Sequence, residues 1–439
     1  MEWRKWTEKA SEITLSIISW VVFLCLDFLD IVLCNVYKVL DDFLEGKASR
    51  TCYCVKTEEV DANGVDDDRE SEHSGTLCGS RRNNIFRTLM GSLRISSAPR
   101  RGWKNGCTFC GKHRWSDCGC DSCIEWTQNS EDLRLHVVVK EPLRVSSHDC
   151  GKKDAQNVIF IHGFLASSSY WAETIFPNLS DSMKQNYRLF AVDLLGFGRS
   201  PKPSDCFYTL RDHLEMIEKS VIGPYKLDSF HIVAHSMGCV IALALAAEHI
   251  KLIKSITLIA PPYIPSNKDA SLMALQRLAA RKVWPPLSFG SAIMSWYEHL
   301  GRSVCFIFCR NHKTWEAILK LIMRKRELHF TVMDLTRHTH HSGWHSMHNV
   351  ICGGAKSMDR YFDTLREGMV KIKVIQGDRD QVVPLECSAN VKMKVPEADV
   401  NIVPNANHSS VVLGREKELV RDLESVWSAV AISEDKKME

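Results

Sequence analysis

The sequence has no marked excess of either charge: 56 lysines and arginines stand against 53 aspartates and glutamates, a formal net charge of +3. Without a basic surplus the chain is not expected to bind nucleic acid. It also lacks a phosphate-cradling glycine pattern. Gly196 and Gly198 form a G-x-G with no third glycine opening a helix, so a tight turn is expected there and a dinucleotide site is not. Among His338, His340, His341, His345 and His348, the 341/345 pair has i,i+4 spacing but no HExxH glutamate between its members. Packing or hydrogen bonding, a substrate contact and metal binding stay open for these histidines. Nor is there a long apolar run free of charge. Ile13–Cys34 is long enough to cross a bilayer and follows Arg4, Lys5 and Lys9, but Asp27 and Asp30 interrupt it, and the clean part, Ile13–Leu26, is fourteen residues. A cleaved signal, a signal anchor and a helix packed on the remaining domain are the three readings of residues 1–45.

Charge is unevenly placed. Glu58–Glu72 holds eight acidic residues and Arg81–Lys104 holds seven basic residues with no acidic one, and the stretch from 46 lacks sustained periodicity. A flexible linker is expected over 46–131. Cys52 and Cys54 could accept an acyl chain beside a membrane. Seventeen cysteines are present, and Cys107, Cys110, Cys118, Cys120 and Cys123 fall within seventeen residues around His113. That spacing suits a structural zinc, two disulfides, or buried thiols, and the compartment decides among them.

From Asp132 the texture changes, and LRLHVVVKE alternates like a first strand. Short apolar runs then recur at 157–163, 187–193, 230–234, 254–260, 371–377 and 400–403, separated by helical patterns at 208–222 and 237–247 and closed by one at 416–432. Such alternation predicts an α/β domain with a mostly parallel, doubly wound sheet. About a hundred residues of helical texture after Pro261 and Pro262 lie where an insertion would cover the C-terminal strand ends, as a lid. Basic Arg324, Lys325 and Arg326 beside Leu319, Ile322 and Met323 suit an anionic lipid surface or a solvated face.

The chemistry is centred on FHIVAHSMG, where an apolar strand meets a helix at Ser236 between small residues Ala234 and Gly238. This is a nucleophile elbow with one glycine replaced by alanine. The NVIFIHGF run ends a strand at His162 and Gly163. Its loop can aim the N–H of Phe164, beside that of Met237, at an oxyanion, while His162 either bonds the loop backbone or touches substrate. Asp380, favoured over Asp378 by its phase in GDRDQVVP, follows the next strand, and His408 in NANH follows the last. The order Ser, Asp, His predicts a catalytic triad of Ser236, Asp380 and His408 with no active-site metal and no cofactor. A serine nucleophile points to acyl transfer.

Through IHGF, DLLGFGRS, AHSMG, GDRDQVVP and NANH the chain resembles the α/β-hydrolase superfamily over 132–432. HTHHSGWHSMHNVICGG, WSDCGCDSC and the hydrophobic N-terminus resemble more specifically the plant BODYGUARD family of putative lysophospholipases. The resemblance implies an α/β-hydrolase fold with a helical lid: an anchor segment at 1–45, a linker at 46–131, core at 132–263 and 369–439, and a lid at 264–368. It further implies a secretory route to the plasma membrane or cell wall, palmitoylation near Cys52 or Cys54, a lipid or cutin-precursor ester as substrate, and a role in the cuticle. An acyltransferase and a non-catalytic ligand-binding scaffold are the alternatives to a serine ester hydrolase.

Overall fold

The structure, a computed structural model, describes residues 2–45, 114–128, 133–143, 155–265, 273–274 and 286–438. Of the expected linker over 46–131, residues 46–113 and 129–131 lie outside the described residues, as do Cys52, Cys54, Cys107, Cys110 and His113, while 114–128 include a helix, Asp121–Gln128.

Seven strands form one sheet: β1 (Val137–Lys140), β2 (Gln156–Ile161), β3 (Tyr187–Val192), β4 (Phe230–His235), β5 (Ile253–Ile259), β6 (Lys371–Gly377) and β7 (Asp399–Val403), in the order β1-β3-β2-β4-β5-β6-β7. Every pairing is parallel except that of β1 with β3. β4 is buried along its whole length because both of its faces are covered, which is why it reads as apolar apart from His231 and His235. One core lies on the face where helix Met237–Glu248 packs and includes Ile159, Phe190, Ile232, Val240 and Phe362. The other holds Phe160, Trp171, Val233, Ile375 and Trp427. Trp427, on the closing helix Glu416–Met438, lies against Tyr187 with ring centroids 4.8 Å apart.

Between β5 and β6 the described residues are helical: Pro286–Trp296, Glu298–Phe308, His312–Met323, Phe330–Asp334, His340–His345, a wide turn at Ser346–Gly353, and Met358–Glu367. The short helix Phe330–Asp334 of this insertion reaches the core, with Asp334 Oδ2 accepting from Ser167 Oγ at 2.8 Å.

One helix spans Glu2–Leu44, and its Ala10–Leu44 part is long and apolar enough to cross a membrane by length and composition. The aspartates that interrupt the apolar run do not face outward: Asp27, Asp30 and Asp41 are buried. Asp30 Oδ1 accepts from the backbone N–H groups of His299 and Leu300, at the start of helix Glu298–Phe308, where unsatisfied amides favour a carboxylate. Asp41 receives both arms of Arg302 at 2.7 and 2.6 Å and the Trp115 indole N–H at 2.7 Å. Arg302 in turn lies over the Tyr37 ring. The helix is thus clasped to the insertion by its own acids.

Candidate active site

Ser236 sits where β4 gives way to helix Met237–Glu248, at φ 54 and ψ −121, a conformation that L residues rarely adopt. The turn is this sharp because the helix comes directly back on the sheet. A Cβ on Gly238 would lie 2.5 Å from the carbonyl oxygen of His162 and 2.8 Å from that of Ile161. Glycine is therefore required at that position, whereas Ala234, two residues before the serine, is accommodated within β4.

The loop after β7 brings His408 to this serine, with Nε2 3.0 Å from Ser236 Oγ and Nδ1 2.7 Å from Asp380 Oδ2. Asp380 is held from several sides. Its Oδ1 accepts from the N–H groups of Val382 and Val383, each at 2.8 Å, and its Oδ2 also accepts from Gln376 Nε2 at 3.1 Å. Burial alone would raise this carboxyl, but the bond from His408 and the two backbone bonds outweigh it and keep it below the usual carboxylate range. Asp378, the other aspartate of the motif, is exposed and points to no such partner set. Ser236, Asp380 and His408 are thus brought together from three loops that lie far apart in sequence.

His162 is fully buried and its bonds fix its state. Nε2 accepts from the N–H of Leu194 at 2.9 Å, so Nδ1 carries the proton and donates to Gly163 O at 2.7 Å. Burial holds its pKa below the ordinary value. Both ring nitrogens are thus engaged by loop backbone groups. That loop presses on the nucleophile, since a Cβ on Gly163 would come 3.2 Å from Ser236 Cβ. The Gly163–Phe164 peptide therefore lies beside the serine, with Met237 the next residue after it. Gly196 and Gly198, at φ 88 and 53, make the tight turn of the neighbouring loop.

Two polar residues escaped sequence reasoning. Gln376, fully buried in β6, spends its amide on Asp380 and Val383 O and accepts from Ser388 Oγ at 3.0 Å. His235 lies with its ring stacked on Tyr170 and its Nε2 3.0 Å from the carbonyl oxygen of His408. Burial, with His408 adding to it, pushes its pKa down to about 3, so the neutral ring donates that bond. A backbone carbonyl as partner leaves no trace in sequence; the only available signal was a histidine inside the elbow itself.

The insertion histidines divide. His341 bonds Cys206 O, His348 faces the carbonyls of Trp344 and Ser295, and His345 packs on Phe207. His338 instead lies 3.6 and 3.7 Å from the sulfurs of Cys305 and Cys309. Cys118, Cys120 and Cys123 lie together with His312 of the insertion.

Comparison with known proteins agrees with this architecture. A family model described as alpha/beta hydrolase fold matches residues 156–414. The probable lysophospholipase BODYGUARD 4 of Arabidopsis thaliana is 51% identical, the match covering 93% of this chain and 96% of the relative. The chain belongs to the BODYGUARD family of α/β hydrolases. A second family member, the probable lysophospholipase BODYGUARD 5 of Arabidopsis thaliana, is 45% identical over 96% of this chain and 97% of its own. Among solved structures, a carboxylesterase of Nitrososphaera gargenis aligns with 68% of this chain and 96% of its own at TM-score 0.45 and 16% identity. As a member of the BODYGUARD family the chain is an enzyme of the hydrolase class, and the long apolar N-terminal helix is compatible with a signal or a membrane anchor.

Proposed function

We propose that this BODYGUARD hydrolase cleaves esters of lipid-like acyl groups through an acyl-enzyme on Ser236. The observation that carries the reading is the single imidazole of His408 joining Ser236 Oγ to Asp380 Oδ2. Ser236 Oγ attacks the ester carbonyl while its proton passes to His408 Nε2. Asp380 keeps the other ring proton on Nδ1 and stabilises the imidazolium as it forms. The charge gathering on the carbonyl oxygen is taken by the N–H groups of Phe164 and Met237, each worth about 3 kcal/mol in the transition state. The closeness of the Gly163 turn to Ser236 supports that assignment. Cleavage of the C–O bond sends the proton from His408 to the leaving alcohol. Water then adds to the acyl carbon, gives a proton to His408, and the acid leaves as Ser236 regains its hydrogen.

The substrate class rests on the naming of the relatives as probable lysophospholipases and on the helical insertion, read as a lid over 264–368 between core segments 132–263 and 369–439. A cutin-precursor ester and a role in the cuticle follow the family resemblance. So does a secretory route to the plasma membrane or cell wall, with the N-terminal segment as anchor and acylation at Cys52 or Cys54. A hydroxyl group accepting the acyl chain in place of water would give ester synthesis by the same first half.

Fluorophosphonate labelling of the purified full-length chain, read by intact mass, tests the mechanism. One label per chain is expected, lost in Ser236→Ala and in His408→Ala. A folded protein that takes no label, or a label retained in Ser236→Ala, overturns it.

A further inference from the structure

We propose that Cys118, Cys120, Cys123 and His312 form a structural zinc site that pins the cysteine-rich segment to the insertion. The four donor atoms lie within 4.8 Å of one another, although His312 is almost two hundred residues beyond the cysteines in sequence. His312 Nε2 is 3.6 Å from Cys120 Sγ and 3.5 Å from Cys123 Sγ. Zinc bonds of about 2.3 Å to sulfur and about 2.0–2.1 Å to nitrogen, opened at the tetrahedral angle, separate the two donors by roughly 3.6 Å. The observed distances therefore already match those of a tetrahedral site, and three sulfurs with one imidazole nitrogen are a common structural zinc set.

The surroundings fit as well. His312 Nδ1 is 3.2 Å from Glu316 Oε1, one helical turn on. A carboxylate on the far nitrogen fixes the proton there and leaves the Nε2 lone pair directed at the thiols, as in carboxylate–histidine–zinc arrangements. The cysteines are held by local geometry: a turn closes from Asp117 N–H to Arg114 O, and Cys120 O receives the N–H of Ile124 at the start of helix Asp121–Gln128, which carries Cys123. A disulfide within this trio would leave one thiol over and would give the histidine and its glutamate nothing to do. Zinc uses all four donors.

The site has a structural consequence. Arg114 and Trp115, just before the cysteines, bond Asp41 of the N-terminal helix, and Arg302 bonds both Asp41 and Ser116. Zinc at the other end of the same segment would fix it on two sides, so helix, segment and insertion would move as one piece.

The test measures bound metal in the full-length chain purified in mild detergent without chelator. A second thiol group, Cys305, Cys309 and His338, lies in the insertion, so the comparison is made by difference. His312→Ala and Cys120→Ser are each expected to carry one zinc fewer per chain than the parent, while His312→Cys keeps the parent value. Exchange with cobalt should give a thiolate charge-transfer absorption that weakens in Cys120→Ser. Peptide mapping of the parent, alkylated without reduction, addresses the same point without relying on a variant's folding. It should show Cys118, Cys120 and Cys123 as alkylated thiols once zinc is stripped. Equal zinc in parent and His312→Ala overturns the proposal, as does finding any of the three cysteines in a disulfide.

Discussion

At the scale of single residues, the site depends on groups that never touch substrate. His408 must present Nε2 to Ser236 while Nδ1 faces Asp380, and its main chain is tied down by His235. Replacing His235 by phenylalanine keeps a ring against Tyr170 but removes the donor to His408 O. The lost hydrogen bond is worth about 1 kcal/mol of stability, so the variant should melt roughly 2 °C lower, and with His408 no longer tied down, fluorophosphonate labelling of Ser236 should slow severalfold. An unaltered labelling rate would show that His235 only packs. The meeting of Ser236, Asp380 and His408 was legible because each follows a strand and the order of types is distinctive. His235 and Gln376 were not, because one bonds a carbonyl and the other bonds three groups in the loop and helix that follow its own strand, and neither partnership imposes a recognised motif.

At the scale of elements, the strands were legible from their apolar runs, and their observed limits differ by a residue or two except in β1, which begins at Val137 and not at Leu133. How the insertion meets the core was not, since it turns on pairs such as Asp334 with Ser167, distant in sequence. Asp334 is buried on helix Phe330–Asp334, and its Oδ1 has no hydrogen-bond partner among the described residues. Burial, with Asp193 adding to it and Ser167 and Arg337 opposing, raises its pKa from the ordinary 3.8 to about 7. Between those two values the folded chain holds a proton that the unfolded chain has lost, so this group lowers stability as pH rises through that window. Above about 7 the loss is complete. Asp334→Asn removes the dependence. The variant should melt a few degrees above the parent at pH 8 and alongside it at pH 4. Parallel melting curves at both pH values would mean that Asp334 ionises normally.

For the whole molecule, the N-terminal helix has an unusual division of polar and apolar residues. Along it, Phe23, Asp27, Asp30, Tyr37 and Asp41 repeat at helical spacing on one buried stripe. Ile17, Val21, Phe28, Val32, Val39 and Phe43 repeat on the opposite side and are exposed, as is Trp20. This inverts the usual surface helix, which turns its acids to water and its aliphatics to the core. Carboxylates that would be costly in hydrocarbon are spent on Arg302 and on the amides of His299 and Leu300, leaving an apolar outer face too large for an ordinary soluble surface. A bilayer is the partner that such a face suits, and it would hold the insertion next to a lipid substrate. The full-length chain should therefore float with phosphatidylcholine vesicles in a density gradient. Ile17→Ser, Trp20→Ser and Val21→Ser together should leave most of the protein at the bottom of the gradient while Ser236 still takes its label. Flotation undiminished in the triple variant would assign the membrane contact to another surface, and loss of labelling with loss of flotation would tie the helix to the fold instead.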